Sequence, residues 1–300
     1  MSHDQAQLLR QMVNGKLEEK PIKHQKEMYI ITVASGKGGV GKSNFSVNLA
    51  LALKGLGKNP IILDADFGLA NVEVILGEHP KYNMSHLING ECQMKDLISK
   101  SKYGVSFISG GSGIKDMSFL PSYRIADISR KLGQLSEVTD ILIIDTGAGI
   151  NDIVVKFCNL AEQVFIIVTP EPTSITDSYA LLKTLVSNFG LESRVKLIIN
   201  KADSQKEAHE VYRKLRHVCQ QFLQFPVDYA GFVPYDEQVF RAVKEQVPIF
   251  KYNLHAKSSR AYYQIAKAYL MELGEQVEQN ANMGNEKENW LSKFKRLFEQ

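Results

Sequence analysis

An α/β fold, a mostly parallel twisted sheet with helices on both faces, is what this sequence predicts, and three observations predict it. Short apolar runs rich in Ile and Val recur along the chain with helix-length stretches between them, the pattern of a parallel sheet covered on both sides. The first run, Met28–Val33, leads straight into the glycine loop Ala34-Ser35-Gly36-Lys37-Gly38-Gly39-Val40-Gly41-Lys42-Ser43, and a helical pattern follows at once. A hydrophobic share of 44% and a charged share of 23% are those of an ordinary globular domain.

Taken in order, the strands are expected over residues 29–33, 60–63, 105–109, 141–144, 164–168, 195–199 and 227–229. Helices are expected over 42–57, 121–135, 152–160, 174–189, 205–223, 237–245 and 256–277, with right-handed crossovers. Residues 1–27 are polar and precede the first strand, so they form a separate N-terminal tail. A domain then spans residues 28–278. The stretch 279–288, rich in Asn and Gln, reads as a linker, and residues 289–300 as a terminal helix.

The glycine loop matches the phosphate-loop pattern through Gly36, Gly41, Lys42 and Ser43, with an additional lysine, Lys37, after the first glycine. Glycines at 36, 38, 39 and 41 let the backbone from Gly36 through Val40 to Asn44 press its N–H groups on phosphate oxygens at a helix N-terminus. Lys42 is expected at the β- and γ-phosphates and the Ser43 hydroxyl on Mg²⁺.

Three further strand ends carry chemistry. Leu63-Asp64-Ala65-Asp66-Phe67-Gly68-Leu69-Ala70-Asn71 offers two carboxylates that can hold Mg²⁺ through water or orient a nucleophilic water; Asp and Gly are also turn formers. Ile141–Ile144 ends in Asp145, which reads as an outer-shell Mg²⁺ position, with Thr146, Gly147 and Gly149 in a loop able to sense a γ-phosphate. Strand 195–199 ends in Asn200-Lys201-Ala202-Asp203, whose Asn can present its amide to a base, and Phe232–Asp236 offers Pro234 against a ring.

With these residues in place, the chain from 28 to about 278 resembles the deviant-Walker-A ATPases of the MinD/ParA class. The resemblance rests on the loop with Lys37, on residues 64–71, on Ile143–Gly149, on Thr169-Pro-Glu-Pro-Thr-Ser-Ile-Thr-Asp177 and on Val233–Val239. It implies ATP with Mg²⁺, and an ATP-bound sandwich homodimer in which Lys37 reaches the partner's phosphates. By the same resemblance Asp66 positions the attacking water, Asp64 and Asp145 surround Mg²⁺, and Glu171 lies at the dimer seam near the partner's ribose. Asn200, Pro234 and Asp236 would line the adenine pocket. Gly147 stands where the family often has a proline.

Both termini narrow the resemblance. Asp4-Gln5-Ala6-Gln7-Leu8-Leu9-Arg10 is similar to the activating motif of the flagellar-number regulators of the FlhG group, which stimulates the GTPase FlhF. There Gln5 would reach the GTP site, with Asp4 beside it, and Arg10 would offset phosphate charge. In the terminal helix Trp290, Leu291, Phe294, Leu297 and Phe298 share one face, while Lys293, Lys295 and Arg296 supply positive charge. Such a helix suits an anionic membrane surface; docking on its own domain or on a partner is the alternative. The expectation is a cytoplasmic protein peripheral to the inner face of the cell membrane, with flagellar ring proteins as further candidate partners.

A MinD-like division-site ATPase and a ParA-type DNA-segregating ATPase stay open as alternatives. Against nucleic acid, the net charge is only +3, and Lys206, Arg213, Lys214 and Arg216 are interleaved with Glu207 and Glu210. The three cysteines, Cys92, Cys158 and Cys219, form no metal or disulfide spacing and sit in none of the loops expected of a cluster-binding reductase. Neither a signal peptide nor a transmembrane run is expected.

Overall fold

The computed structural model describes residues 28–67, 71–111, 131–283 and residue 296. Its centre is an eight-stranded sheet in the order β3-β4-β2-β5-β1-β6-β7-β8. The strands are β1 Tyr29–Ala34, β2 Pro60–Ala65, β3 Ser99–Lys100, β4 Ser106–Ile108, β5 Ile141–Thr146, β6 Gln163–Val168, β7 Arg194–Ala202 and β8 Asp228–Pro234. Every pairing is parallel except β3 with β4. The helices are α1 Lys42–Gly55, α2 Asn71–Leu76, α3 Met84–Asn89, α4 Met94–Leu97, α5 Asp152–Leu160, α6 Pro172–Phe189, α7 Gln205–Val218, α8 Glu237–Lys244, α9 Ile249–Tyr252 and α10 Lys257–Met283.

Strand period 2 divides the core into two layers. In β1, Ile30 joins Leu142, Ile144, Phe157, Leu181 and Leu215 on the face covered by α5, α6 and α7. Ile31 and Val33 point the other way and join Phe45, Leu49, Phe165, Tyr262 and Tyr269 beneath α1 and α10. Phe45 is the hub there, edge-on to Phe165 at 5.8 Å and tilted against Tyr262 at 5.9 Å. Helix α1 is therefore buried along nearly its whole length, between the sheet and α10. That burial anchors the glycine loop preceding it on rigid structure.

The predicted strands are all present, with β7 and β8 running further than expected. The β3 edge strand and helices α2, α3, α4 and α9 are additions; each is too short for a hydrophobic period to register in sequence. The expected helix over 205–223 is α-helical to Val218 and then a π-turn, Cys219–Leu223, closed by Gln224 at φ 51°. Of the expected helix over 121–135, residues up to 130 lie outside the described residues; a 3₁₀ turn, Gln134–Glu137, follows. Helix α10 runs to Met283, beyond the 277 expected. Strand C-termini converge on one edge of the sheet, where open α/β folds place their ligands.

Candidate functional site

The phosphate loop joins β1 to α1 and is shaped by two glycines above the others. A Cβ at Gly36 would lie 2.1 Å from the carbonyl oxygen of Asp177, because the loop packs directly on the first turns of α6. Gly41, the N-cap of α1, has φ 98°, and a Cβ there would meet the Asn200 amide at 2.5 Å. Inside the loop the Lys42 amine is buried and donates to Ser35 Oγ at 3.1 Å, and Ser35 Oγ donates to the Lys37 carbonyl at 2.7 Å. Burial holds the Lys42 amine below its ordinary pKa, with Asp145 and then Asp66 pulling it back up. A close-packed glycine loop with a buried amine inside it is a cradle for an anion.

The acids stand opposite. Asp64 and Asp145 end neighbouring strands at the same register, and both are fully buried. Asp145 Oδ1 accepts from the Ser46 hydroxyl at 2.9 Å, and the Ser43 hydroxyl also bonds this carboxylate. Its Oδ2 is buried with no partner among the described residues. Burial pushes Asp145 up to about 6, against the Ser43 and Ser46 hydrogen bonds. Burial first, and the Asp145 charge second, push Asp64 up to about 8. Both oxygens of Asp64 are already spent on the backbone, on the Asp66 amide at 3.1 Å and the Val72 amide at 3.0 Å. Asp64 thus folds the loop that carries Asp66 and starts α2. The sequence expectation set Asp64 beside Mg²⁺; in this fold its two oxygens order the loop.

Asp66 is half-buried, and its Oδ2 accepts from Asn71 at 3.3 Å. Its neighbour Gly68 lies outside the described residues. Gly147 backs the other oxygen: a Cβ there would sit 3.5 Å from Asp66 Oδ1, an ordinary contact, so the glycine leaves room beside the carboxylate. The rest of that loop is tied down by the Gly149 amide on the Ser35 carbonyl at 3.0 Å and by Asn151, which caps α5 through Val154 at 2.9 Å.

A cavity of about 300 Å³ opens at the far end of the loop, with Gly39, Gly41, Asn44, Asn200, Pro234 and Phe240 in its wall. Asn200, Pro234 and Asp236 therefore lie together, as expected from sequence. The Asp236 carboxylate is spent, however. It caps α8 through the Gln238 amide at 3.1 Å and accepts from Ser258 Oγ at 2.9 Å and the Ser258 amide at 3.3 Å. Asn200 Nδ2 donates to the Val40 carbonyl at 2.6 Å, and Oδ1 accepts from the Lys201 amide at 3.0 Å.

Lys37 behaves unlike Lys42. Its amine leaves its own loop and donates to Glu171 Oε2 at 2.6 Å and Thr173 Oγ1 at 2.8 Å, at the N-terminus of α6. That hydrogen bond and charge hold the exposed Glu171 carboxyl below its usual range. Sequence reasoning missed Ser35 under Lys42 and Ser46 under Asp145, and it named Asn71 in the run 63–71 without the role it takes beside Asp66. A serine within a helix or a strand end carries no pattern that marks it. Asp4, Gln5, Arg10, Trp290, Leu291, Phe294, Lys295, Leu297 and Phe298 lie outside the described residues.

These residues fit a Mg²⁺–nucleotide. The cradle accepts phosphates, and the Ser43 hydroxyl with the orphaned Asp145 Oδ2 offers the hard oxygen donors Mg²⁺ takes. Among the described residues no cluster of three His, Cys, Asp or Glu side chains makes a self-sufficient metal site. No helix among the described residues is long and apolar enough to cross a membrane.

Comparison with known proteins gives the chain its family. The ParA family model, described as NUBPL iron-transfer P-loop NTPase, matches residues 26–270. The antiactivator FleN of Pseudomonas aeruginosa is 41% identical over 238 residues, 79% of this chain and 85% of FleN. The flagellum site-determining protein YlxH of Helicobacter pylori is 31% identical over 298 residues, 99% of this chain and 98% of YlxH. In fold, the septum site-determining protein MinD of Pyrococcus horikoshii, complexed with Mg-ADP, superposes with a TM-score of 0.63 at 21% identity, covering 87% of this chain and 100% of that one. The chain belongs to the MinD/ParA family of P-loop ATPases and, within it, to the group of the flagellar-number regulators FleN and YlxH.

Proposed function

We propose that the chain is an ATP-hydrolysing dimerisation switch that sets the number or placement of flagella, associates with an anionic membrane surface and stimulates an FlhF-type GTPase through its N-terminal segment. The observation that carries the switch is the contrast between the two loop lysines. Lys42 is sealed into its own loop, whereas Lys37 turns its amine outward to Glu171 and Thr173 on the exposed rim. An amine there is free to exchange those partners for the phosphates of a second chain docked on the same face.

The chemistry follows from the groups on the page. Backbone N–H groups of the loop and the Lys42 amine hold the β- and γ-phosphates and offset charge as it shifts to the leaving oxygen. Asp66, steadied by Asn71, holds a water in line with the γ-phosphorus. Mg²⁺, when bound through Ser43 and Asp145, neutralises phosphate charge. Asp64 and Ser46 only position, the first fixing the Asp66 loop and the second aiming Asp145.

The names of the relatives agree with this reading, FleN being an antiactivator and YlxH a flagellum site-determining protein. The apolar face of Trp290, Leu291, Phe294, Leu297 and Phe298 supports the membrane part, since two such helices in a dimer gain from effective concentration.

Light scattering with a non-hydrolysable ATP analogue tests the switch. Wild type should run as a dimer and float with anionic liposomes, and Lys37→Ala as a monomer that floats about tenfold less or weaker still. A dimer of Lys37→Ala equal to wild type would overturn it. For the GTPase part, a peptide of residues 1–24 should raise GTP hydrolysis by FlhF, and a Gln5→Ala peptide should not.

A further inference from the structure

Ser35, the first residue after β1, is fully buried, and its contacts join parts of the site that a nucleotide must engage together. Its hydroxyl oxygen accepts from the Lys42 amine at 3.1 Å, and its hydroxyl proton goes to the Lys37 carbonyl at 2.7 Å. Its own carbonyl accepts from the Gly149 amide at 3.0 Å, in the loop that follows Asp145. One side chain therefore touches both the amine meant for the chain's own phosphates and the backbone of the lysine meant for a neighbour's. Gly36, between Ser35 and Lys37, lies against the Asp177 carbonyl, so this short turn rests on a fixed base.

The direction of the coupling follows from counting protons. A lysine ammonium has three to donate, and Ser35 Oγ is the one hydrogen-bond acceptor of Lys42 among the described residues. Asp145 and Asp66 act on that amine through charge. Before a phosphate arrives, the cation pulls on the Ser35 oxygen and makes the hydroxyl a stronger donor to the Lys37 carbonyl, because hydrogen bonds in a chain polarise one another. A phosphate in the cradle draws the ammonium away, since its oxygens are charged acceptors and the hydroxyl is a neutral one. The Ser35 oxygen then loses its donor, and its hold on Lys37 slackens. The segment so loosened is the one that carries the Lys37 amine to Glu171 and Thr173 on the exposed rim.

We propose that Ser35 is a positioning residue that passes occupancy of the chain's own phosphate site to Lys37: its hydroxyl holds both lysines until a phosphate takes Lys42 and loosens the turn. The inference rests on the nucleotide-site reading above and adds a regulatory link to it. The test uses the full chain with Mg²⁺ and ADP, which offers no γ-phosphate to a neighbour and so keeps pairing out of the measurement. Two quantities are read: ADP affinity by calorimetry, and reactivity of the Lys37 amine towards an acetylating reagent, followed at that residue by mass spectrometry. In wild type, saturating ADP should raise Lys37 labelling by about threefold. Ser35→Ala should show the raised level without nucleotide and bind ADP about threefold tighter or more, because no contact has to be broken first. A serine that only supports the loop would lose affinity on truncation and leave Lys37 labelling where it was. Wild-type labelling unmoved by ADP, the full gain retained in Ser35→Ala, or variant affinity equal to or below wild type overturns the coupling. The wild-type arm decides the matter even where the variant does not fold. A wild type that binds no ADP overturns the nucleotide-site reading with it.

Discussion

At the scale of single residues, the site holds its acids at a cost to the nucleotide-free chain. Asp64 and Asp145 are buried side by side, and Asp145 Oδ2 has no partner among the described residues. An orphaned buried acceptor costs about 1–3 kcal/mol. Burial also penalises the Asp145 charge, so Asp145→Asn should abolish hydrolysis and yet raise the melting temperature of the nucleotide-free protein, read by calorimetry; a fall in both would count against the assignment. The pH dependence has a definite sign. Asp64 is pushed up to about 8, so between its ordinary carboxylate range and that value the folded chain binds more protons than the unfolded one. Stability of the nucleotide-free protein should thus fall as pH rises from about 5 to about 8. Asp64→Asn should flatten that slope in a pH series of thermal melts. The sequence showed Asp64, Asp66 and Asp145 as a set, and the resemblance gave each a role, but the part of Asp64 in ordering the loop was not legible, because which oxygen meets which amide depends on a loop closing back on Val72.

At the scale of elements, the phosphate loop is clamped from two sides by parts of the chain distant in sequence. Helix α6 supplies the Asp177 carbonyl against Gly36, and the tip of β7 supplies Asn200 and Lys201 against Val40 and Gly39. Gly36→Ala has nowhere to put its methyl, since the obstacle is backbone. It should destabilise the chain by about 1–3 kcal/mol and lower nucleotide affinity with it. Gly149→Ala makes a useful contrast: φ 85° strains an alanine, but the space is open. It should cost about 1 kcal/mol with less effect on binding. Chemical denaturation of both variants checks the order. The loop itself was legible from its pattern, as were the strands before and after it. The clamps were not, because a β7 that continues past Ile199 into a bulge looks in sequence like a strand that has simply ended.

At the scale of the whole molecule, the decisive quantity is the balance between two sets of partners for Lys37. In the single chain its amine has a carboxylate and a hydroxyl, both on the exposed start of α6. In a nucleotide-bound pair those contacts would have to be given up for a neighbour's phosphates, so the contacts within the chain oppose assembly by whatever they contribute. Glu171 is a poor probe of that opposition, because a carboxylate at the seam also acts on the second chain. Thr173→Val is cleaner: it deletes one acceptor of the Lys37 amine, keeps the shape and changes no charge. If the contact within the chain restrains the switch, Thr173→Val should dimerise at about two- to fivefold lower concentration of a non-hydrolysable ATP analogue, the worth of one exposed hydrogen bond to a charged group. The double variant Lys37→Ala with Thr173→Val should be no better at pairing than Lys37→Ala, because the threonine acts only through the lysine. Light scattering across an analogue titration separates the cases. An equal gain from Thr173→Val in the Lys37→Ala background would locate the effect at the α6 terminus itself and remove Lys37 from the coupling.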